Sequence, residues 1–181
     1  IAQITREIYI VVVNPSIPVN TIKELIAYTK ERPGLVNYAS PGFAGSPHLA
    51  TELFKSMAGI NIVHVAYKGG APATAALVKG EAQLLISDGN LLMPQVKAGK
   101  LRALASTSAQ PSELFPTLPT VSASGLPGYD FETMTGIFAP AKTSEAIINR
   151  LNQEVVRVIR LPEVKERYLA AGMETVGGAP K

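Results

Sequence analysis

The groups best placed to do chemistry in this chain are backbone amides rather than acids, bases or nucleophiles. Ser40-Pro41-Gly42-Phe43-Ala44-Gly45 leads into Ser46-Pro47-His48, and Tyr67-Lys68-Gly69-Gly70 leads into Ala71-Pro72. Each reads as a glycine-bearing loop that opens a helix, with Ser46 as an N-cap and Pro47 as the first helical residue. The first N–H groups of a helix have no intrahelical acceptor, and that end carries about half a positive charge. It attracts anions, and glycine lets an anion approach the backbone closely. Taken singly, each loop is an ordinary cap or turn. Two of them at one sheet edge point to a small-anion site. Lys68 suits a cation at that site and a solvated loop lysine equally well.

Conventional catalytic spacing is missing. There is no Gly-x-Ser-x-Gly elbow, no Walker-type loop and no Gly-x-Gly-x-x-Gly. His48, at a helix start, is expected to hydrogen-bond locally or to line a pocket. His64, in an apolar strand, is expected to be a satisfied core or edge histidine. Asp88, Asp130 and Glu132 are scattered and form no acid–base pair. With no cysteine, disulfide, zinc-thiolate, iron–sulfur and cysteine-nucleophile chemistry are excluded. Neither a cofactor nor a metal is expected.

Composition narrows the classes further. The chain has 181 residues, 46% of them hydrophobic, which suits one or two small domains with a true core. Lys and Arg number 17 against 14 Asp and Glu, a net charge of +3. That bias is mild and poorly clustered. The stretch Arg157–Arg167 reads as a solvated helix face, and nucleic acid is not an expected partner. The longest apolar run, Ile8–Val13, falls far short of the roughly 20 residues that span a bilayer.

The elements that must position the loops follow from periodicity. Ile8–Val13 is a β-branched run suited to a strand buried on both faces. Thr21-x-x-Glu24 is a capping-box pattern that starts a helix ended by Pro33-Gly34. Strands are predicted over 35–39, 60–65, 83–87 and 102–106. Between them lie a helix after Ser46 with Leu49, Leu53, Phe54 and Met57 on one face, an Ala-rich helix over 72–79, a turn at 88–90 and a short helix to Ala98. This βα alternation predicts an α/β fold, a mostly parallel sheet with helices on both faces. Ligands of such sheets bind at the carboxyl ends of the strands, here loops 40–46, 66–71 and 87–90. Residues 110–129, rich in Pro and Gly, read as a crossing segment. A strand over 133–139 and an amphipathic helix follow, with Ile147, Ile148, Leu151, Val155, Val158 and Ile159 inward, then a short helix to Ala171.

Four ordered stretches closely resemble one family. They are Tyr38–Phe54 (YASPGFAGSPHLATELF), Val63–Ala73 (VHVAYKGGAPA), Val96–Ala105 (VKAGKLRALA), and Pro116–Val121 with Gly125–Tyr129. The family is the Bug-type solute receptors of tripartite tricarboxylate transporters, and the resemblance covers nearly the whole chain. It implies a periplasmic, two-lobed receptor of the type II periplasmic binding fold, not an enzyme. Such a receptor captures a small organic carboxylate and delivers it to membrane transporter subunits. It also implies that the chain is a fragment, because family members run on before Ile1 and past Lys181. Residues 12–128 would form the complete ligand-binding lobe. Residues 1–11 and 129–181 would supply crossing strands and the rest of an incomplete lobe.

The implied ligand contacts are Ser40, Gly42, Phe43, Ala44, Gly45, Ser46 and His48, then Tyr67, Lys68, Gly69 and Gly70, then Ser87 and Asp88. Many members have a Gly-Asn-Gly-Thr-like stretch where this chain has Gly42-Phe43-Ala44-Gly45. Phe43 either closes over an aromatic ligand or packs, with packing favoured. Many members also have Phe-Asp-Asn where this chain reads Ile86-Ser87-Asp88, so Ser87 holds the family's acidic position. The apolar stripe of the 145–160 helix is expected to be covered by a second copy of the chain or to be poorly ordered. The alternative function is an effector-binding or enzymatic domain on the same fold, and a missing helix-turn-helix argues against a regulator.

Overall fold

The computed structural model describes residues 1–179. The chain divides into two compact units, one built from Ile8–Phe131 and the other from Ile1–Glu7 with the described residues from Glu132 onward.

In the larger unit the elements are the end of β1 (Ala2–Val13), α1 (Ile22–Lys30), β2 (Asn37–Ser40), α2 (Ser46–Ala58), β3 (Val63–Ala66), α3 (Gly70–Lys79), β4 (Leu84–Asp88), α4 (Gly89–Lys97) and β5 (Arg102–Ser106). The strand order is β3-β2-β4-β1-β5. β2 runs parallel to β3 and to β4. β1 is antiparallel to both β4 and β5. The α/β fold class with helices on both faces thus holds, but the sheet is mixed. β1 leads through α1 to β2, which is not its neighbour in the sheet, so the rule that makes adjacent βαβ strands parallel does not set its direction.

Side-chain alternation along β1 builds the core. Tyr9, Val11 and Val13 face one layer with Ile22, Leu25, Phe54 and Ala58 of α1 and α2. Ile8, Ile10 and Val12 face the other with Ala73, Leu77 and Leu92 of α3 and α4. A strand apolar at every position is thereby buried on both sides. Thr21 caps α1 by accepting from the Glu24 N–H at 3.1 Å, and the Glu24 carboxylate accepts from the Asn20 N–H at 2.6 Å. The Pro-rich stretch closes over the α1–α2 layer. Tyr129 is fully buried, donates its hydroxyl to the Ala50 carbonyl at 2.9 Å and meets the Phe54 ring edge-on.

Two helix faces differ from the periodicity reading. α2 buries Ala50, Thr51, Phe54 and Ala58, and leaves Leu49, Leu53 and Met57 exposed. Its buried side is lined by small residues and one Phe, so the bulkier aliphatics are pushed to the rim. In the smaller unit β6 (Glu132–Ile137) pairs with the first part of β1, which also pairs with β7 (Glu174–Thr175). Beside them lie α5 (Glu145–Ile159) and α6 (Pro162–Ala170). α5 buries Ile159, while Ile147 is 53% exposed and Leu151 and Val158 are exposed as well. The stripe lies on one continuous helix, and its Ile148 and Val155 are half-buried. The Ala2–Glu7 part of β1 escapes a hydrophobicity reading because Gln3, Thr5, Arg6 and Glu7 interrupt it. Among the described residues no helix is long and apolar enough to cross a membrane.

Candidate functional site

Strand register gathers the three loops. Ser40 pairs with Ala66 across β2 and β3, and Tyr38 pairs with Leu84 across β2 and β4. Parallel strands end together, so the loops after Ser40, Ala66 and β4 leave one edge of the sheet. The first two are also tied directly. The Tyr67 N–H donates to the Ser40 carbonyl and the Gly69 N–H to the Pro41 carbonyl, both at 2.9 Å.

Helix starts supply the unpaired donors. Gly45, with φ −76° and ψ 167°, caps α2 and makes no side-chain cap bond. Ser46 is therefore the first helical residue rather than the N-cap. An extended Gly45 takes the cap. The Leu49 N–H reaches back to Gly45, which leaves the Ser46 and His48 amides without intrahelical acceptors. α3 starts at Gly70, two residues before the expected Pro72, so Gly70 and Ala71 carry its equivalent amides. Gly69 has φ +112°, a region side chains rarely adopt, and a Cβ there would meet nothing within 4 Å. At Gly70 a Cβ would lie 2.7 Å from Leu91 Cδ2, so glycine serves the α3–α4 contact there. The expected turn at 88–90 is instead the start of α4. Asp88 caps it by accepting from the Asn90 N–H at 2.9 Å, and Ser87 is buried in β4. Lys68 is exposed. Tyr67 packs against the α3–α4 layer, and burial, then the charge of Glu81, raises its hydroxyl above the usual range.

The rings form a column. His64 stacks on Tyr38 with centroids 4.8 Å apart and on His48 at 4.1 Å, and Phe43 tilts against His48 at 4.9 Å. His48 Nδ1 accepts from the Ala44 N–H at 3.0 Å, the local bond expected of it. Ala44 is the one non-glycine residue with positive φ among those described, at +60°. His64, on edge strand β3, is the satisfied edge histidine the sequence indicated, with Nε2 2.6 Å from Ser40 Oγ. That Ser–His contact was not readable from the sequence, because the two residues belong to different strands.

Its chemistry is structural. Ser40 Oγ donates to the Gly42 carbonyl at 2.6 Å, so its proton is committed and His64 Nε2–H is the donor toward it. A fully buried serine whose proton points at a carbonyl is not an activated nucleophile. Burial, then the electrostatic influence of His48, lowers the His64 imidazole below its usual range. Below the column the Tyr38 hydroxyl donates to Glu52 at 2.6 Å, and the Lys55 ammonium reaches the same carboxylate at 3.2 Å. Burial pushes Glu52 up, but the Tyr38 hydrogen bond and Lys55 outweigh it and hold it below the ordinary range. Burial, then the Glu52 contact, raises Tyr38 strongly. Among the described residues no cluster of three His, Cys, Asp or Glu is placed to hold a metal.

A sequence model described as "Tripartite tricarboxylate transporter family receptor" matches residues 1–180. The UPF0065 protein in the tcbD-tcbE intergenic region of Pseudomonas sp. (strain P51) is 36% identical over 161 residues, 88% of this chain and 48% of that protein. Protein BugT of Bordetella pertussis is 32% identical over 171 residues, 94% of this chain and 52% of its own length. Among solved structures, R. palustris Rpa4515 with adipate superposes with a TM-score of 0.82 at 33% identity, covering 98% of this chain and 60% of that one. The chain thus spans about half the length of these curated relatives. The motifs, the mixed α/β sheet and the family match agree: the chain belongs to the tripartite tricarboxylate transporter receptor family.

Proposed function

We propose that the protein is a periplasmic receptor that binds a small organic carboxylate and passes it to membrane transporter subunits, without catalysing a reaction. The observation that carries this reading is the convergence, at one sheet edge, of two helix starts whose amides lack intrahelical acceptors. In the proposed site the amides of Ser46, His48, Gly70 and Ala71 hold the carboxylate. Gly42, Gly45 and Gly69 leave room for its approach. Ser40 and His64 shape the first loop, while Phe43, Tyr67 and Lys68 flank it. Asp88 caps α4 rather than contacting the anion, and Ser87 supports the third loop from within the sheet. The committed proton of Ser40 supports a receptor over an enzyme, and the adipate named for the Rpa4515 structure supports the ligand class.

The exposed stripe of α5 supports a contact with a second copy of the chain, which light scattering at rising concentration would detect as growing mass. The ligand reading is tested by calorimetry of the full-length protein with adipate. Saturable, enthalpically detectable binding that competes with other dicarboxylates is expected. Heats indistinguishable from buffer dilution across a dicarboxylate and monocarboxylate panel would overturn it.

A further inference from the structure

We infer that Phe43 selects, at the carboxylate site proposed above and resting on that reading, a ligand whose body is a flat aromatic ring. Phe43 is 79% exposed although it belongs to the loop that opens α2. Packing, the reading favoured by the sequence alone, accounts for only its rear side. There it meets His48 with centroids 4.9 Å apart and His64 at 5.9 Å. The histidines are themselves stacked 4.1 Å apart on Tyr38, which is fully buried. The column therefore has a buried foundation and an open aromatic end.

That open end is held rather than loose. Ala44 lies in the left-handed region at φ +60°, where a side chain is disfavoured, and the His48 ring accepts from its N–H. Strain of this kind persists where the surroundings enforce it, and it concentrates at ligand-contacting loops. His48 contributes to both parts of the site, its ring to the column and its amide to the start of α2. A carboxylate on those amides brings the adjoining part of the ligand toward Phe43. A flat π-system gains offset or edge-on ring contact there, whereas a flexible aliphatic diacid gains only area and loses rotational freedom.

The experiment measures dissociation constants of trans-cinnamate and adipate by calorimetry on the full-length protein and on Phe43→Leu and Phe43→Trp. Phe43 is mostly solvent-exposed, so the variants are expected to fold, and circular dichroism checks this. The expected result is a preference for cinnamate that falls about tenfold in Phe43→Leu and is retained in Phe43→Trp. Tighter binding of adipate than of cinnamate, or a preference unchanged by Phe43→Leu, overturns the role of Phe43 and leaves the carboxylate receptor standing. Binding of neither acid overturns both.

Discussion

Ser40 Oγ and His64 Nε2 lie 2.6 Å apart across two adjacent parallel strands, and the serine proton is given to Gly42 rather than to the imidazole. This pair ties the loop opening α2 to the edge strand. Removing the hydroxyl leaves the His64 N–H and the Gly42 carbonyl short of a partner in a half-buried position. Ser40→Ala is therefore expected to lose roughly 1–3 kcal/mol in urea unfolding. A loss below the measurement error would mean that water replaces the hydroxyl at no cost.

The lowered pKa of His64 sets a pH window. The folded state binds this proton less readily than the unfolded chain, so stability rises with pH across the interval between the two pKa values. His64 is expected to contribute fully above the unfolded value of about 6.5, and its contribution declines as the pH falls from there toward its folded pKa. Glu52, also lowered, adds a further loss at more acid pH, below its ordinary 4.5. The urea midpoint should drop between pH 7.5 and 5.5, and His64→Asn should flatten that drop. A variant with the parent's full pH slope would assign the proton elsewhere.

Two glycines separate access from backbone geometry. A Cβ at Gly42 would meet nothing within 4 Å, and the residue lacks a positive φ. Gly42→Leu is expected to keep the parent melting temperature while weakening carboxylate binding at least tenfold. Gly69 has φ +112°, so Gly69→Ala should cost about 1–2 kcal/mol even though the space is open. Equal melting temperatures for both variants would contradict the backbone argument, and undiminished binding by Gly42→Leu would move the site.

The smaller unit has its own fastening. Arg6 Nη2 lies 2.6 Å from Glu174 Oε2, its Nη1 lies 3.5 Å from Glu132, and the Glu174 side chain is 8% exposed. Arg6→Ala removes a guanidinium from beside a nearly buried carboxylate. The expected loss is roughly 1–3 kcal/mol, below the range for fully buried pairs because about a third of Arg6 is open to water. Hydrogen exchange should accelerate at Glu174–Thr175 before it changes in β4 or β5. Uniform acceleration would show the pair to be incidental.

Legibility in the sequence followed the range of the interactions. The β-branched run 8–13, the capping box at Thr21 and the glycine stops are local signals, and the strands and helices they mark are present within a few residues. The orientation of β1 was hidden because antiparallel pairing to β4 and β5 leaves no trace in an apolar run buried on both faces. Glycine-bearing helix starts after Ser40 and Tyr67 were visible as motifs. The ring column was not, because Tyr38, His48 and His64 come from a strand, a helix and a second strand, and only register stacks them. Leu49, Leu53 and Met57 misled for the converse reason. Helical spacing identifies an apolar stripe, but the partner layer decides which stripe is covered.

The central place of β1 also governs how the chain folds. Its apolar end is synthesised before β4 and β5, the strands that flank it, and cannot be enclosed until Arg102–Ser106 has emerged. High-separation pairing of this kind slows folding. Meanwhile Ile8–Val13, six uncharged residues of high β-propensity without proline, stays unpaired and competent to join the same segment of a neighbouring nascent chain. Co-expression of a holding chaperone is therefore expected to raise the soluble yield of this protein.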